Sequence, residues 1–268
     1  MIKTLLSLDE NLASSIALRY ACQQASLIPA MKLQAIHVEE PDNNKKHSAG
    51  SGWVRRTWEK GLEAAGTDEV NRLLKTENVS CPFVGPPKVF VGDRQDEILE
   101  ELVIGGYDMY MEGDLNTSVV ADFNDLITSD LYRKSPCPVM IVKNLITSNC
   151  VGLLCGDGVD HQKLIASFLK VFKNSGLELD LLYYKFQEND EVIFQEKEEA
   201  GSILIEAEKD LEAAGLHARR SQVISGSPER VGDYLRKFFL VASTFPSRKG
   251  PRMELLAHVL APVFLCRQ

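Results

Sequence analysis

The 268-residue sequence has no long hydrophobic run. Its longest apolar stretches are about five to six residues, far short of the roughly 20 that an α-helix needs to cross a bilayer. The first residues, MIKTLL, predict a strand and lack the apolar core and cleavage site of a secretory signal peptide. The sequence therefore predicts a cytoplasmic protein without a membrane partner.

Positive charge is also scarce. The chain has 30 Lys and Arg against 38 Asp and Glu, a formal net charge of -8 at pH 7. This balance argues against a broad nucleic-acid-binding surface, which needs clustered Lys and Arg, so we expect no nucleic-acid partner. We do not expect disorder of the whole chain, since 44% hydrophobic and 25% charged residues are ordinary for a globular protein.

Signatures of metal binding and catalysis are missing as well. None of the six cysteines forms a Cys-x-x-Cys pair and the five histidines are scattered, so we expect reduced thiols and no metal site. A Walker-type phosphate loop, a nucleophile elbow and a His-Glu-x-x-His pair are all absent. For His37, a structural role in a strand is favoured over catalysis. None of these motifs therefore supplies a candidate catalytic residue.

Segments typical of strands alternate with segments typical of helices. Through residue 142 the order is β-α-β-α-β-α-β-α-β, which predicts an α/β fold with a parallel sheet covered by helices on both faces. The same order starts again at Val151, with residues 190–214 predicted as one long helix. We infer two tandem copies of one unit, with residues 1–145 as domain 1 and residues 149–268 as a shorter domain 2.

Short motifs follow the order and spacing of a known family. In the first copy they are LLSLD at 5–9, SIALRYA at 15–21, IHVEEP at 36–41, VGDRQDEIL at 91–99, YDMYMEG at 107–113 and SPCPVMIV at 135–142. In the second copy they are LCGD at 154–157, GSP at 226–228 and APVFL at 261–265. On these motifs the chain resembles the universal stress protein family in its tandem two-domain form.

This resemblance implies two Rossmann-like domains, each with a five-stranded parallel sheet and helices on both faces. It also implies pairing of domains through their last strands, within one chain or in a homodimer. The adenosine-binding positions would be Asp9 and Val38 in domain 1 and Asp157 in domain 2, where Tyr184 takes the place of Val38. Gly92 would be a further cofactor-binding position of domain 1. For Asp9, ligand contact and capping of the next helix both stay open, whereas capping or a turn is favoured for Asp157.

The phosphate loop of the family is degenerate in this sequence. ATP-binding members have Gly-x-x-Gly, nine residues, then Gly-Ser or Gly-Thr, because glycine lets backbone N–H groups approach phosphate. Gly113 matches the first position, but Asn116 replaces the second glycine and Asp125 falls where the last glycine should be. In domain 2, Ser243 replaces the first glycine, and the SRKG run at 247–250 is either a solvated loop or an anion contact. We expect ATP binding to be weakened or lost.

These observations predict a stress-response protein of the universal stress type that acts by ligand sensing or protein interaction rather than catalysis. The alternative is an adenine-nucleotide-binding protein, for ATP or AMP, that uses domain 1 and hydrolyses slowly or not at all. A third hypothesis is a scaffold whose halves only present a surface to an unknown protein partner.

Overall fold

The computed structural model describes residues 1–41, 53–115 and 120–267. Strands and helices alternate along these ranges, and the chain divides into two compact units. The first unit comprises Met1–Gly113 and Asp130–Cys137, and the second comprises Asp114–Ser129 and Pro138–Gln268. The predicted α/β class with mostly parallel strands is confirmed. The domain limits at residues 145 and 149, inferred from the repeat, remain a prediction.

Parallel strands form the sheet of the first unit in the order β3-β2-β1-β4. They are β1 (Ile2–Ser7), β2 (Met31–Glu39), β3 (Lys88–Val91) and β4 (Met109–Gly113). The helices of this unit are α1 (Leu12–Leu27), α2 (Trp53–Glu77), α3 (Arg94–Gly105) and α5 (Asp130–Lys134). Leu5 and Leu6 on β1 point to opposite faces and are both 0% exposed, as expected for a central strand covered on both sides.

Capping side chains define where the first-unit helices begin. The Asn11 side chain accepts a hydrogen bond from the N–H of Ser14 at 2.8 Å, so the N-cap of α1 is Asn11 and not Asp9. The Asp93 side chain accepts from two backbone N–H groups in the first turn of α3. Because Asn11 caps α1, the carboxylate of Asp9 is left for other contacts.

The sheet of the second unit has the order β5-β11-β10-β6-β7-β9-β8. Its strands are β5 (Val139–Val142), β6 (Cys150–Gly156), β7 (Glu178–Phe186), β8 (Ile193–Glu196), β9 (Ala218–Gly226), β10 (Leu240–Thr244) and β11 (Val263–Cys266). Its helices are α4 (Val120–Thr128), α6 (His161–Phe172), α7 (Ile203–Ala213), α8 (Pro228–Leu235) and α9 (Pro251–His258). Strands β11, β10, β6, β7 and β9 pair in parallel.

Strands β5 and β8 each pair antiparallel with one neighbouring strand. Strand β5 pairs antiparallel with β11, with Ile141 opposite Val263, so the last strands of the two sequence copies pair within the chain. Strand β8 pairs antiparallel with β9. The prediction of one long helix over residues 190–214 is wrong, because Ile193–Glu196 forms β8, Lys197–Ala200 forms a 3₁₀ turn and only Ile203–Ala213 is α-helical. An edge strand depends on its partner more than on local propensity.

A disulfide joins Cys22 of α1 to Cys81 in the segment before β3. The expectation of reduced thiols is therefore wrong for this pair, whose Cα atoms lie 5.0 Å apart although they are 59 residues apart in sequence. Only the fold brings them together, so their spacing did not predict the bond. The remaining cysteines, Cys137, Cys150, Cys155 and Cys266, are buried thiols outside this disulfide. Within the described ranges, no helix is long and apolar enough to cross a membrane.

Candidate functional site

An open cavity, the second-unit cavity, lies at the carboxyl ends of strands β6 and β7. Its volume is about 480 Å³, which is within the range of small-molecule sites. Three segments line it: Gly156, Asp157 and Gly158 at the end of β6, Tyr184 and Phe186 on β7, and residues 246–253, which run from the loop after β10 into the first turn of α9. Ligands of open α/β sheets bind at this edge, so the position favours a ligand site.

Arg252 provides a half-buried positive charge in the second-unit cavity. Its Nη1 donates to the carbonyl oxygen of Thr244 at 2.7 Å, and its Nη2 donates to that of Gly158 at 3.5 Å. Each hydrogen bond that the described residues give this guanidinium ends on an uncharged oxygen. Burial lowers the pKa of Arg252 to about 10. With exposed Arg248 and Lys249 beside it, this end of the cavity suits an anion.

Asp157, a predicted site residue, also lines the second-unit cavity. The Tyr183 hydroxyl donates to its Oδ1 at 2.6 Å, and burial together with this contact raises the pKa of Tyr183 to about 12. The N-cap of α6 is Asp160, whose side chain accepts from the N–H of Lys163 at 3.0 Å. Asp157 is therefore not the cap, and its exposed carboxylate can accept hydrogen bonds from a ligand.

Tyr184 and Phe186 supply the aromatic part of the cavity lining. Tyr184 is buried, and its hydroxyl donates to the carbonyl oxygen of Gly226 at 3.3 Å. Burial, followed by the nearby charges of Glu254 and Glu229, raises the pKa of Tyr184. Phe186 is 51% exposed, so a planar apolar group in the cavity can pack against its ring.

At the carboxyl ends of β1 and β4, the charged side chains of the first unit pair with one another, in contrast to the basic end of the second-unit cavity. The Arg94 guanidinium donates to Glu112 Oε2 at 2.5 Å and lies 3.7 Å from Asp9 Oδ2. Buried Glu112 also accepts from the hydroxyls of Tyr110 and Tyr132. Burial disfavours the charge of Arg94, but Tyr110, Glu112 and Asp9 outweigh it and raise the pKa of Arg94. The cation that could neutralise a phosphate here is already paired.

His37 on β2 contacts the other side of Asp9. Its Nδ1 lies 2.8 Å from the carbonyl oxygen of Leu8 and 3.2 Å from Asp9 Oδ1. Burial disfavours the imidazolium, yet contacts with Asp9, Leu8 and Glu39 raise the pKa of His37 to about 9. Burial likewise disfavours the charge of Asp9, but His37 and Arg94 lower its pKa below the usual value. The Asp9 carboxylate is thus engaged by two basic side chains.

The other predicted site residues of domain 1 occupy packed positions. Val38 is 6% exposed. A Cβ at Gly92 would lie 2.4 Å from a side chain of α3, and one at Gly113 would lie 2.0 Å from the carbonyl oxygen of Ala13. Gly113 therefore lets the start of α1 approach the end of β4 closely. Asn116 lies outside the described residues. A ligand-binding role for these positions remains a prediction.

Sequence reasoning missed Arg94, Glu112 and Arg252, which organise the charge in the two units. Arg94 and Arg252 lie in the first turns of α3 and α9, and an arginine at the start of a helix is not by itself a signal of a ligand site. For Glu112, the sequence does contain a signal, which is a charged residue within an apolar strand. A carboxylate inside an apolar strand needs a cation or several donors when it is buried, so its position predicts a partner such as Arg94.

Residues that could hold a metal ion also meet in the first unit. His37, Glu39 and Glu69 bring one ligand atom each to within 4.8 Å of one another. Two of them lie on β2 and the third on α2, so no sequence spacing links all three.

The fold is shared with universal stress proteins of solved structure. A universal stress protein from Archaeoglobus fulgidus DSM 4304 has a TM-score of 0.63 at 14% identity, with 99% of this chain and 98% of that chain covered. A protein from Pseudomonas aeruginosa UCBPP-PA14, described as a universal stress protein, has a TM-score of 0.56 at 13% identity, with 99% and 92% covered. A functionally unknown protein from Pseudomonas aeruginosa PAO1 has a TM-score of 0.55 at 13% identity, with the same coverage of 99% and 92%.

No protein-family profile matches the chain, and no curated protein matches it either. The structural likenesses confirm the resemblance at the level of the fold. The chain thus has the α/β fold of tandem universal stress proteins.

Proposed function

We propose that this chain is a non-catalytic ligand-binding protein of the universal stress type, and that the second-unit cavity is its ligand site. The proposed ligand is a small anion of mononucleotide size, with AMP as the best candidate. The observation that carries the proposal is Arg252, a half-buried guanidinium in the cavity lining whose hydrogen bonds end on uncharged oxygens. Ligand sensing in a stress response is the role we propose for this site.

The basic end of the cavity suits a single phosphate group. Arg252 presents a planar fork of N–H donors that can bind phosphate in a bidentate manner. The eight-residue helix α9 begins at the same place, and a helix N-terminus favours an anion. Pro251 at the first helical position and Pro246 in the loop lack N–H donors, so this loop cannot surround a triphosphate as a glycine-rich loop does.

The ends of β6 and β7 supply the groups that suit the sugar and base of a nucleoside. The exposed carboxylate of Asp157 can accept hydrogen bonds from two neighbouring sugar hydroxyls. Phe186 and Tyr184 offer aromatic surface for a planar base. A cavity of about 480 Å³ accommodates a ligand that combines these parts.

Nucleotide binding in domain 1, the alternative drawn from the sequence, faces a larger obstacle. A phosphate there would have to draw Arg94 away from Glu112, whose side chain is only 6% exposed. Removing one partner from a buried charge pair costs about 3–5 kcal/mol. We therefore place the ligand in the second unit and expect ATP to bind no more tightly than AMP.

Titration calorimetry with AMP, ATP, adenosine and inorganic phosphate tests this proposal. We expect one AMP per chain, with Arg252→Gln weakening AMP about ten- to hundredfold, because a hydrogen bond to a charged group contributes about 1.5–3 kcal/mol. Adenosine binding should change little in this variant. The matched control is Arg220→Gln, an exposed arginine of β9 that is not part of the cavity lining.

Two results would contradict the proposal. One is the absence of AMP binding at millimolar concentration, and the other is equal AMP affinity in Arg252→Gln and the unaltered chain. Absence of binding by all four ligands would favour the second candidate, a protein-interaction role. That role is supported by Val103 and Ile104 on α3, which are adjacent apolar residues with 66% and 74% exposure.

A further inference from the structure

We propose that His37, Glu39 and Glu69 of the first unit form a binding site for a divalent transition-metal ion such as Zn²⁺. His37 Nε2 lies 3.3 Å from Glu39 Oε1 and 3.8 Å from Glu69 Oε2, and the three ligand atoms are all within 4.8 Å of one another. Ligands held tetrahedrally at Zn²⁺ bond lengths of about 2.0–2.2 Å are themselves about 3.3–3.6 Å apart. A small movement of Glu69 would complete this arrangement.

The buried nitrogen of His37 is the observation that points to a ligand. The His37 side chain is 6% exposed, and its Nε2 is buried without a hydrogen-bond partner among the described residues. Although Glu39 is 3.3 Å away, no hydrogen bond of good geometry links the two side chains. Buried polar atoms normally have a partner, and imidazole nitrogen with carboxylate oxygens is a ligand set that Zn²⁺ accepts.

The other nitrogen of His37 has the partner that metal-bound histidines usually have. His37 Nδ1 lies 2.8 Å from the carbonyl oxygen of Leu8, which accepts only if Nδ1 carries the proton. In the neutral ring this leaves the lone pair on Nε2, which faces Glu39 and Glu69. Asp9 Oδ1, 3.2 Å from Nδ1, strengthens the same orientation.

Helix α2 can bring Glu69 to this position because Gly66 lies one turn earlier. A Cβ at residue 66 would lie 2.7 Å from His37 Cδ2 and 3.1 Å from Glu39 Cγ. Residues three apart share a helix face, so the contact that needs glycine also directs Glu69 toward His37. Glu39 and Glu69 are each 25% exposed at the side chain, which leaves access for the ion and for a water molecule as fourth ligand.

The alternative occupant of this cluster is a proton that makes His37 an imidazolium among carboxylates. A titration of the metal-free chain with metal ions distinguishes a bound ion from a bound proton. The chain is first freed of metal with a chelator and then titrated with Co²⁺, followed by its visible absorption, and with Zn²⁺, followed by calorimetry. We expect one ion per chain, the intense visible bands of Co²⁺ in a low-coordinate site, and a shift of the His37 ring resonances in NMR spectra.

Matched variants locate the ion. Glu69→Gln should weaken Zn²⁺ binding at least about tenfold, because even outer-shell changes weaken metal sites about 10- to 100-fold. Glu63→Gln, an exposed glutamate on the same helix, makes the same charge change and should bind Zn²⁺ normally. The proposal is overturned if no ion binds in saturable fashion, or if Glu69→Gln binds as tightly as Glu63→Gln. Because AMP would bind in the other unit, either result leaves the AMP proposal to its own test.

Discussion

Lys143, which follows strand β5, is a buried lysine in the second unit. Its Nζ donates to the carbonyl oxygens of Leu256 at 2.8 Å and Ala257 at 3.0 Å, near the carboxyl end of α9. The same atom lies 4.7 Å from the centre of the Phe123 ring. Burial lowers the pKa of Lys143 to about 7, and Asp114 opposes this only in part. In the unfolded chain the pKa returns to its ordinary value of 10.5.

This difference makes the stability of the protein depend on pH. Between pH 7 and 10.5 the unfolded chain binds a proton at Lys143 that the folded chain has released. The free energy of unfolding therefore rises with pH by about 1.4 kcal/mol per pH unit in this interval. The whole interval corresponds to about 5 kcal/mol, as an upper bound. Below pH 7 both states are protonated and the destabilisation is fully present.

Lys143→Met tests the size of this effect, since it removes the titrating amine and keeps an unbranched side chain. Urea unfolding is followed by circular dichroism at pH 7.5, 8.5 and 9.5 for both proteins. The unaltered chain should gain about 3 kcal/mol relative to Lys143→Met between the first and the last pH. Lys173→Met, at an exposed lysine, is the control and should show a constant difference. A constant difference for Lys143→Met would refute the reasoning.

Three further predictions concern stability. Replacing Cys22 and Cys81 by Ser should lower the free energy of unfolding by up to about 4 kcal/mol, because the disulfide closes a loop of 59 residues. Titration of the unaltered, unfolded chain with a thiol reagent should find four thiols before reduction and six after it. Gly66→Ala should destabilise by about 1–3 kcal/mol in urea unfolding, opposite to the usual gain in a helix, because the new Cβ would lie 2.7 Å from His37. Phe264→Ala should cost about 3–5 kcal/mol, since the ring is 0% exposed and packs 5.6 Å from that of Phe172, whereas Phe264→Leu should cost less.

Local patterns in the sequence were enough to predict the α/β class and most of the strands. Strands such as β6, buried at every position, appear as continuous apolar runs, and amphipathic helices such as α6 repeat with a helical period. These signals are local because each residue's burial follows from its own place in a regular element. The short antiparallel strand β8 escaped them. Residues 193–196 form a strand only because β9 offers an unpaired edge to which they can bind.

The sequence did not predict which charged side chains pair at the candidate sites, because pairing also depends on a partner from elsewhere in the fold. The sequence predicts equivalent positions for Asp9 and Asp157, yet Asp9 is held by His37 and Arg94 while Asp157 lines an open cavity. The identity of each carboxylate and its place at a strand end are local properties. Whether a distant arginine neutralises the carboxylate depends on packing between elements far apart in the chain. That packing pairs the charged side chains in the first unit and leaves a basic cavity open in the second.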